Sequence, residues 1–311
     1  MYHNILADNS VDGKAYGKPG LPLSCFKQQL KWLLRHRQIV SVSEYLEITR
    51  RGKSDGRKVV ALTFDDGLAS TFERVYPLLE KWRAAATFFI STSHLKAGVL
   101  LWFSYLNALC FDEVYDKVKT REHTFDLSFP KGRRLAWLGL NRLALASTNP
   151  KAFGDELAAA YPLPDHVASE YRGMSLEQMA LVGDSDLVEP GAHTVNHPFL
   201  HLLSMVEQEE EIVRSKKQIE ELTGRRVRYF AYPNGDYNRS TLSILDQLGF
   251  EAAFATHTKR LGISDCFEIP RQGIYSSSFL KFWLKAEGVV TAVRELSGHL
   301  VSGKRTVTAS T

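Results

Sequence analysis

Two adjacent aspartates and a glycine, Asp65, Asp66 and Gly67, follow directly after the apolar run KVVALTF at residues 58–64. Neighbouring carboxylates point in different directions, so one can bind a metal ion while the other stays free as a base. Gly67 permits the sharp backbone turn that such a pair needs. A simpler explanation is also open, in which the three residues make a turn and cap the helix predicted at 69–83.

Two histidines four positions apart, His193 and His197, follow the run DLVEPGA at 186–192. Imidazoles at this spacing can lie on one side of a turn, and together with a carboxylate they suit zinc or a similar divalent ion. Pro198 disfavours helix at His197, which predicts a strand-to-helix turn. Two histidines and one aspartate would leave a coordination position open for water, as a catalytic metal requires.

Short apolar runs predict the strands that position these residues. The runs are continuous rather than alternating, which is typical of parallel strands buried on both faces. Each run ends at a polar or turn-forming residue, and the ends of parallel strands meet at one edge of a sheet. Besides 58–64 and 186–192, the runs are 84–90 before Ser91, 227–232 before Pro233-Asn234-Gly235, 251–256 before His257 and 266–270 before Arg271.

Helical patterns alternate with these runs. Ser204 and Glu207 form a capping box at the start of one of them, and Gly224 marks its end. Strand-helix alternation indicates right-handed βα units and an α/β barrel, in which the carboxyl ends of the strands build the site. The predicted helices span 23–37, 69–83, 175–182, 204–223 and 240–250.

Residues 99–174 interrupt this alternation. The stretch is far longer than a βα loop of about 2–6 residues, so it predicts a largely helical insertion between the second strand and the strand that precedes the histidines. With this insertion, residues 1–311 are expected to form a single domain.

Composition excludes several classes of protein. The chain has 311 residues, 44% hydrophobic and 24% charged, with a formal net charge of +4. Its basic residues are dispersed, so nucleic acid is not an expected partner. Three distant cysteines, Cys25, Cys110 and Cys266, indicate neither a disulfide framework nor a cysteine zinc site. No apolar run approaches the roughly 20 residues that span a bilayer.

The opening segment MYHNILADNS has neither a basic region nor an apolar core of the kind found in signal peptides. We therefore expect a cytoplasmic protein, or an exported one if the sequence is trimmed at its first strand.

Three motifs resemble those of the polysaccharide deacetylase family, also known as the NodB-homology family or carbohydrate esterase family 4. TFDDG at 63–67 is similar to the first motif, HTVNHP at 193–198 to the second and FAYPNG at 230–235 to the third. The third motif resembles the branch whose pattern is Tyr-Pro-x-Gly. The resemblance extends over about 1–98 and 175–275 and leaves out the insertion.

The resemblance implies a distorted (β/α) barrel that binds a divalent metal ion, zinc first among the candidates, and removes N-acetyl groups from an amino-sugar glycan or glycan precursor. Residue by residue, it implies Asp65 as general base and Asp66, His193 and His197 as metal ligands. It also implies that the backbone N–H of Asn234 stabilises the developing oxyanion.

The third motif departs from the family pattern at Ala231, where many members have an arginine that pairs with the base. Arg271, at another strand end, could supply that cation and keep Asp65 ionised, or it could form an ordinary ion pair. His257 could be the general acid or an exposed loop residue. Trp102, Phe103 and Tyr105 could stack on sugars, although their helical spacing among leucines favours the core.

Two other functions stay open. A C–N hydrolase acting on a formamide or another small amide would have the same metal motifs. A non-catalytic glycan-binding protein would keep the barrel but would be expected to lose site residues, whereas Asp65, Asp66, His193 and His197 are all intact. The expected partner is thus a carbohydrate; the oligomeric state is not predicted.

Overall fold

The computed structural model describes residues 1–8, 18–52, 58–147, 149–256, 259, 261 and 265–288. Its strands are β1 (Ile5–Leu6), β2 (Leu21–Pro22), β3 (Gln38–Val40), β4 (Val59–Phe64), β5 (Ala86–Ile90), β6 (Lys117–Lys119), β7 (Thr124–Asp126), β8 (Val188–Ala192), β9 (Tyr229–Ala231), β10 (Ala252–Ala255) and β11 (Ile269–Pro270). Its α-helices are α1 (Leu23–His36), α2 (Val42–Arg51), α3 (Ala69–Trp82), α4 (Trp102–Phe111), α5 (Pro130–Ala146), α6 (Pro150–Ala160), α7 (Asp165–Ala168), α8 (Leu176–Asp184), α9 (Met205–Thr223), α10 (Arg239–Gln247) and α11 (Phe279–Ala286).

The central sheet has seven parallel strands within the described ranges, in the spatial order β11-β10-β9-β8-β5-β4-β3. Phe64 pairs with Phe88, and Ile90 pairs with Ala192, so β4, β5 and β8 end close together at one edge. The sheet curls into a half-barrel, which agrees with the predicted distorted (β/α) barrel. Five of the six predicted strands are confirmed as β4, β5, β8, β9 and β10; of the run 266–270, only Ile269–Pro270 is strand, because Asp265–Phe267 form a 3₁₀ turn. β3, only three residues long, was not predicted.

The five predicted helices are confirmed as α1, α3, α8, α9 and α10, with ends that shift by one to three residues. Both sides of the capping box between Ser204 and Glu207 are formed, and Gly224 ends α9 in the left-handed region at φ 66°. These ends were predictable because their hydrogen bonds are local.

The N-terminal residues connect the two sides of the curled sheet. Tyr2 donates its backbone N–H to Thr63 O (2.8 Å) and accepts from Asp65 N (2.9 Å), next to the end of β4. Met1 O accepts from Ile274 N (2.9 Å), beyond the end of β11. The segment therefore connects the end of β4 with the chain that follows β11.

Residues 99–174 lie between β5 and α8 and contain α4–α7 and the antiparallel pair β6–β7. Their largest hydrophobic cluster, which includes Leu106, Leu109, Leu140 and Leu157, is separate from that of the barrel. The stretch is largely helical, as predicted; the hairpin was not predicted, because its strands of three residues carry little periodic signal. Within the part of the chain that the structure describes, no helix combines the length and apolarity needed to cross a bilayer.

Candidate active site

A left-handed turn at the end of β4 orients the two aspartates. Asp66 has φ 76° and Gly67 has φ 78°. A Cβ atom on Gly67 would lie 2.8 Å from Ile90 Cγ2, so both the backbone angle and the space require glycine. The Asp66 carbonyl accepts hydrogen bonds from His94 Nε2 (2.8 Å) and Ser91 N (3.2 Å), which fix its peptide. The turn therefore sends the carboxylates of Asp65 and Asp66 to different partners.

An irregular loop after β8 brings the two histidines together. Thr194 has φ 65° and His197 has φ 54°, and the Thr194 hydroxyl accepts from His197 N at 3.1 Å. The ring centroids of His193 and His197 are 4.9 Å apart. The histidines thus lie on a turn rather than on a helix, as the proline at 198 predicted.

Asp66, His193 and His197 form a cluster of buried metal-ligating groups whose donor atoms all lie within 4.8 Å of one another. Asp66 Oδ1 is 3.7 Å from His193 Nε2 and 3.6 Å from His197 Nε2. Asp66 Oδ1 is buried and has no hydrogen-bond partner within the described ranges. A buried carboxylate oxygen without a donor is costly unless a cation satisfies it. The cluster therefore fits a divalent ion.

The protonation of the cluster also suits metal binding. His193 Nδ1–H donates to Ala231 O at 2.7 Å, which leaves Nε2 with a lone pair toward Asp66. Burial lowers the pKa of both histidines, and that of His197 lies well below its ordinary value. Both imidazoles are therefore neutral. Burial, followed by the charge of Asp65, raises the pKa of Asp66 well above its ordinary value. A divalent cation would hold that carboxylate ionised.

Asp65 forms a buried, bidentate ion pair with Arg271. Arg271 Nη1 and Nη2 donate to Asp65 Oδ1 and Oδ2 at 2.7 Å each, and Nη1 also donates to Thr63 Oγ1 at 3.1 Å. Burial is the largest single influence and would raise the pKa of Asp65, but the charge and hydrogen bonds of the Arg271 guanidinium, with smaller contributions from His193 and His3, together hold that pKa well below its usual range. The guanidinium also lies 5.0 Å from the ring centroid of Phe89. Arg271, which directly follows β11, thus supplies the cation that many family members carry at position 231.

The remaining predicted residues have different positions. Asn234 lines the same cavity as the metal cluster, in a turn where its φ is 56°. His257 lies outside the described residues. Trp102 and Tyr105 are buried in the core of the insertion, as their spacing favoured, and Phe103 packs against it. Trp102 and Phe103 also line the cavity.

The insertion directly contacts His197, one of the two histidines of the cluster. Trp102 Nε1 donates to His197 O at 3.3 Å, and the ring centroid of Phe103 lies 4.6 Å from that of His197. The N-terminus of α4 therefore supports the loop after β8, a contact that no sequence pattern predicted.

His3, which was not among the predicted site residues, lies beside Asp65. His3 Nε2 is 3.9 Å from Asp65 Oδ2, and the side chain is 31% exposed toward the cavity. Burial lowers the pKa of His3 to about 4, although the charge of Asp65 opposes that shift. The only signal in the sequence was its position at the end of a short apolar segment.

A cavity of about 910 Å³ connects these groups. One side is formed by the ends of the barrel strands, with Asp65, Asp66 and His193. Another part of the lining comes from the insertion, including Asn107 and Trp137. This volume lies near the upper end of the range for small-molecule sites, about 300–1,000 Å³.

Comparison with known proteins identifies related chains. The family model described as polysaccharide deacetylase matches residues 52–130 and 158–253, more than half of the chain. A poly-β-1,6-N-acetyl-D-glucosamine N-deacetylase of Staphylococcus epidermidis is 28% identical over 141 residues, which cover 44% of this chain and 48% of that protein. The chain spans less than two thirds of the length of the first curated relatives it matches, from 37% to 63%.

Solved structures share the fold. Streptococcus pyogenes deacetylase PplD in complex with acetate has a TM-score of 0.60 and 20% identity, with 92% of this chain and 95% of that chain covered. IcaB from Ammonifex degensii has a TM-score of 0.57 and 20% identity, with 92% and 93% covered. At this identity the likeness concerns the fold alone.

The family match includes the segments that carry the first two motifs and the third. It does not separate the branch with the Tyr-Pro-x-Gly pattern, which stays a prediction. On the evidence of the matched segments and the shared half-barrel, this chain belongs to the polysaccharide deacetylase family.

Proposed function

We propose that this chain is a metal-dependent N-deacetylase that removes acetyl groups from the amino-sugar units of a glycan or glycan precursor. The observation that carries this proposal is the cluster of Asp66, His193 and His197 next to an ionised carboxylate, Asp65, in one cavity. The N-deacetylase named for poly-β-1,6-N-acetyl-D-glucosamine among the relatives makes this polymer the first substrate class to test.

Asp66, His193 and His197 would hold the metal, and zinc is the first candidate because it readily accepts two imidazoles and a carboxylate. When bound there, a divalent cation supplies Lewis-acid chemistry that acidifies water and polarises a carbonyl. Asp65 stays free of the cluster because Arg271 binds both of its oxygens. Its role is to accept the proton of the attacking water, and its ionised state at neutral pH makes it available for this step.

Asn234 and His3 complete the assignment. The backbone N–H of Asn234 would donate to the developing oxyanion of the acetamide, in the cavity that it lines. His3 Nε2 lies 3.9 Å from Asp65 Oδ2, beyond direct hydrogen-bond distance, and its role would be to donate a proton to the leaving amine. His3→Gln is expected to lower kcat while metal content stays unchanged; an unaltered kcat would remove His3 from the mechanism.

The proposal is tested by acetate release together with metal analysis. Wild-type protein is expected to release acetate from N-acetylglucosamine oligomers, to lose this activity with a chelator, and to regain it with zinc. Asp65→Asn, which is nearly isosteric, serves as the blank. Equal release by wild type and Asp65→Asn, or release that survives complete removal of metal, contradicts the proposal. N-formyl substrates tested in parallel distinguish a formamide hydrolase.

A further inference from the structure

The part of the cavity wall that the insertion contributes includes residues of two of its helices. Arg134, Trp137 and Asn141 of α5 lie three, then four positions apart and share one face of that helix. Asn107 of α4 lines the cavity beside them. The cavity of about 910 Å³ thus contains a second set of polar and aromatic groups in addition to the cluster of Asp66, His193 and His197.

Trp137 provides a fixed aromatic surface on this wall. Its indole Nε1–H donates to Asn107 Oδ1 at 2.5 Å, and its ring centroid lies 6.2 Å from that of Phe111 in the insertion core. The side chain is only partly buried. A ring held by a hydrogen bond loses little conformational entropy when a ligand packs on it. The apolar C–H face of a pyranose is a suitable partner for such a surface.

Polar atoms without partners surround this ring. Asn107 Nδ2 is a donor and Asn141 Oδ1 is an acceptor, and neither is paired with any described residue. Arg134 is exposed and likewise makes no ion pair or hydrogen bond within the described ranges. A flat ring bordered by free donors and an acceptor matches a sugar unit, which presents an apolar face and a rim of hydroxyl groups.

We propose that Trp137, Asn107, Asn141 and Arg134 form a second sugar-binding subsite, so that the substrate is an oligosaccharide of two or more units rather than a free amino sugar. This inference rests on the proposed function for the unit at the metal cluster. It assigns a task to the insertion, namely selection of chain length, whereas the strand ends perform the hydrolysis.

Binding in an inactive background tests the subsite separately from catalysis. In Asp65→Asn, titration calorimetry with N-acetylglucosamine and with its β-1,6-linked tetramer is expected to show about tenfold tighter binding of the tetramer. Adding Trp137→Ala should remove the tighter binding of the tetramer and leave the affinity for the monosaccharide unchanged. Adding Trp137→Phe should retain part of the tighter binding of the tetramer. Arg142→Ala is the matched control, because Arg142 is an exposed cation of the same helix outside the cavity lining.

Kinetics with the active protein give the second readout. Trp137→Ala should raise KM for the tetramer about tenfold with little change in kcat, and leave kcat/KM for the monosaccharide unchanged. The subsite is refuted if the tetramer binds Asp65→Asn no more tightly than the monosaccharide, or if Trp137→Ala weakens both ligands equally. Absence of acetate release by the wild type would instead contradict the proposed function, so the two failures are distinguishable.

Discussion

The ends of the barrel strands and the wall formed by the insertion are opposite in character. At the strand ends, Asp65, Asp66 and His193 are at most 3% exposed, and each position is set by a specific hydrogen bond or backbone turn. On the wall, Arg134 is exposed and Trp137 is partly exposed, and polar atoms there are free of partners in the described parts of the chain. Reaction chemistry requires fixed, desolvated groups, whereas recognition of a sugar requires accessible ones.

The two regions also have separate hydrophobic cores, and their contacts near the site include those of Trp102 and Phe103 with His197. This arrangement implies that substitutions in the insertion alter ligand selection more than the chemical step. Four predictions test this division, from the largest expected effect to the smallest.

Asp65→Asn is expected to reduce turnover of every acetylated substrate by about 10³-fold, because it removes the base without removing bulk. Trp137→Ala should leave kcat on short substrates close to wild type. The measurement is kcat from acetate release on a monosaccharide and a tetramer. If Asp65→Asn retained more than a tenth of the wild-type rate, the strand ends would not carry the chemistry.

Arg271→Ala is expected to destabilise the fold by about 3–5 kcal/mol, because it leaves the buried charge of Asp65 unpaired. The Arg271 pair depresses the pKa of Asp65, so its stabilisation is present above the unfolded value of about 3.9 and is lost as pH falls toward the folded value. Without the guanidinium, that pKa rises, and the acid limb of kcat/KM should move to higher pH. Denaturant unfolding and pH-rate profiles measure both effects.

Arg271→Lys serves as the control for this experiment, since it keeps a cation but loses the bidentate geometry. In Arg271→Lys, the acid limb of kcat/KM should lie between those of the wild type and Arg271→Ala. An acid limb that is identical in wild type and Arg271→Ala would show that Asp65 does not control it.

His193→Ala is expected to weaken metal binding by about 100-fold or more, since it removes a buried ligand whose second nitrogen is already oriented by Ala231 O. Metal content after dialysis against a buffered metal solution is the measurement. His201→Ala is the matched control, because His201 pairs with Asp236 outside the cluster. Loss of metal in both variants would contradict the assignment of ligands.

Trp102→Phe tests the contact between the two regions and should have the smallest effect. It removes a hydrogen bond to His197 O that contributes about 1 kcal/mol, so metal affinity should fall by about fivefold or less. Trp32→Phe, in α1, is the control. A loss as large as that of His193→Ala would mean that the insertion is part of the metal centre rather than a support for it.

The local features of the molecule were largely predictable from its sequence. Strands ended where apolar runs met polar residues, and α9 began and ended at the residues that its capping pattern indicated. The meeting of the aspartate pair with His193 and His197 followed from the rule that parallel strands end at one edge of a sheet, and the choice of Asp66 as the ligand followed from the resemblance to the family's motifs. Such features depend on neighbours in the chain or on a rule about the whole fold class.

Contacts between distant segments were less accessible. His3 meets Asp65 because the N-terminal segment connects the two sides of the sheet, and no periodic pattern records that path. Trp137 reaches the cavity only because the insertion folds on its own core. The Arg271 pair was foreseen as one of two alternatives, and only the coordinates place both guanidinium nitrogens on Asp65.

The sequence by itself determined which chemical groups stand at the strand ends and in what order, because residue identity and short-range patterns are properties of the chain. The tertiary structure alone decided which distant groups share the cavity. The distances between them depend on how far the sheet curls and where the insertion packs, and both are set by the summed contacts of residues far apart in sequence.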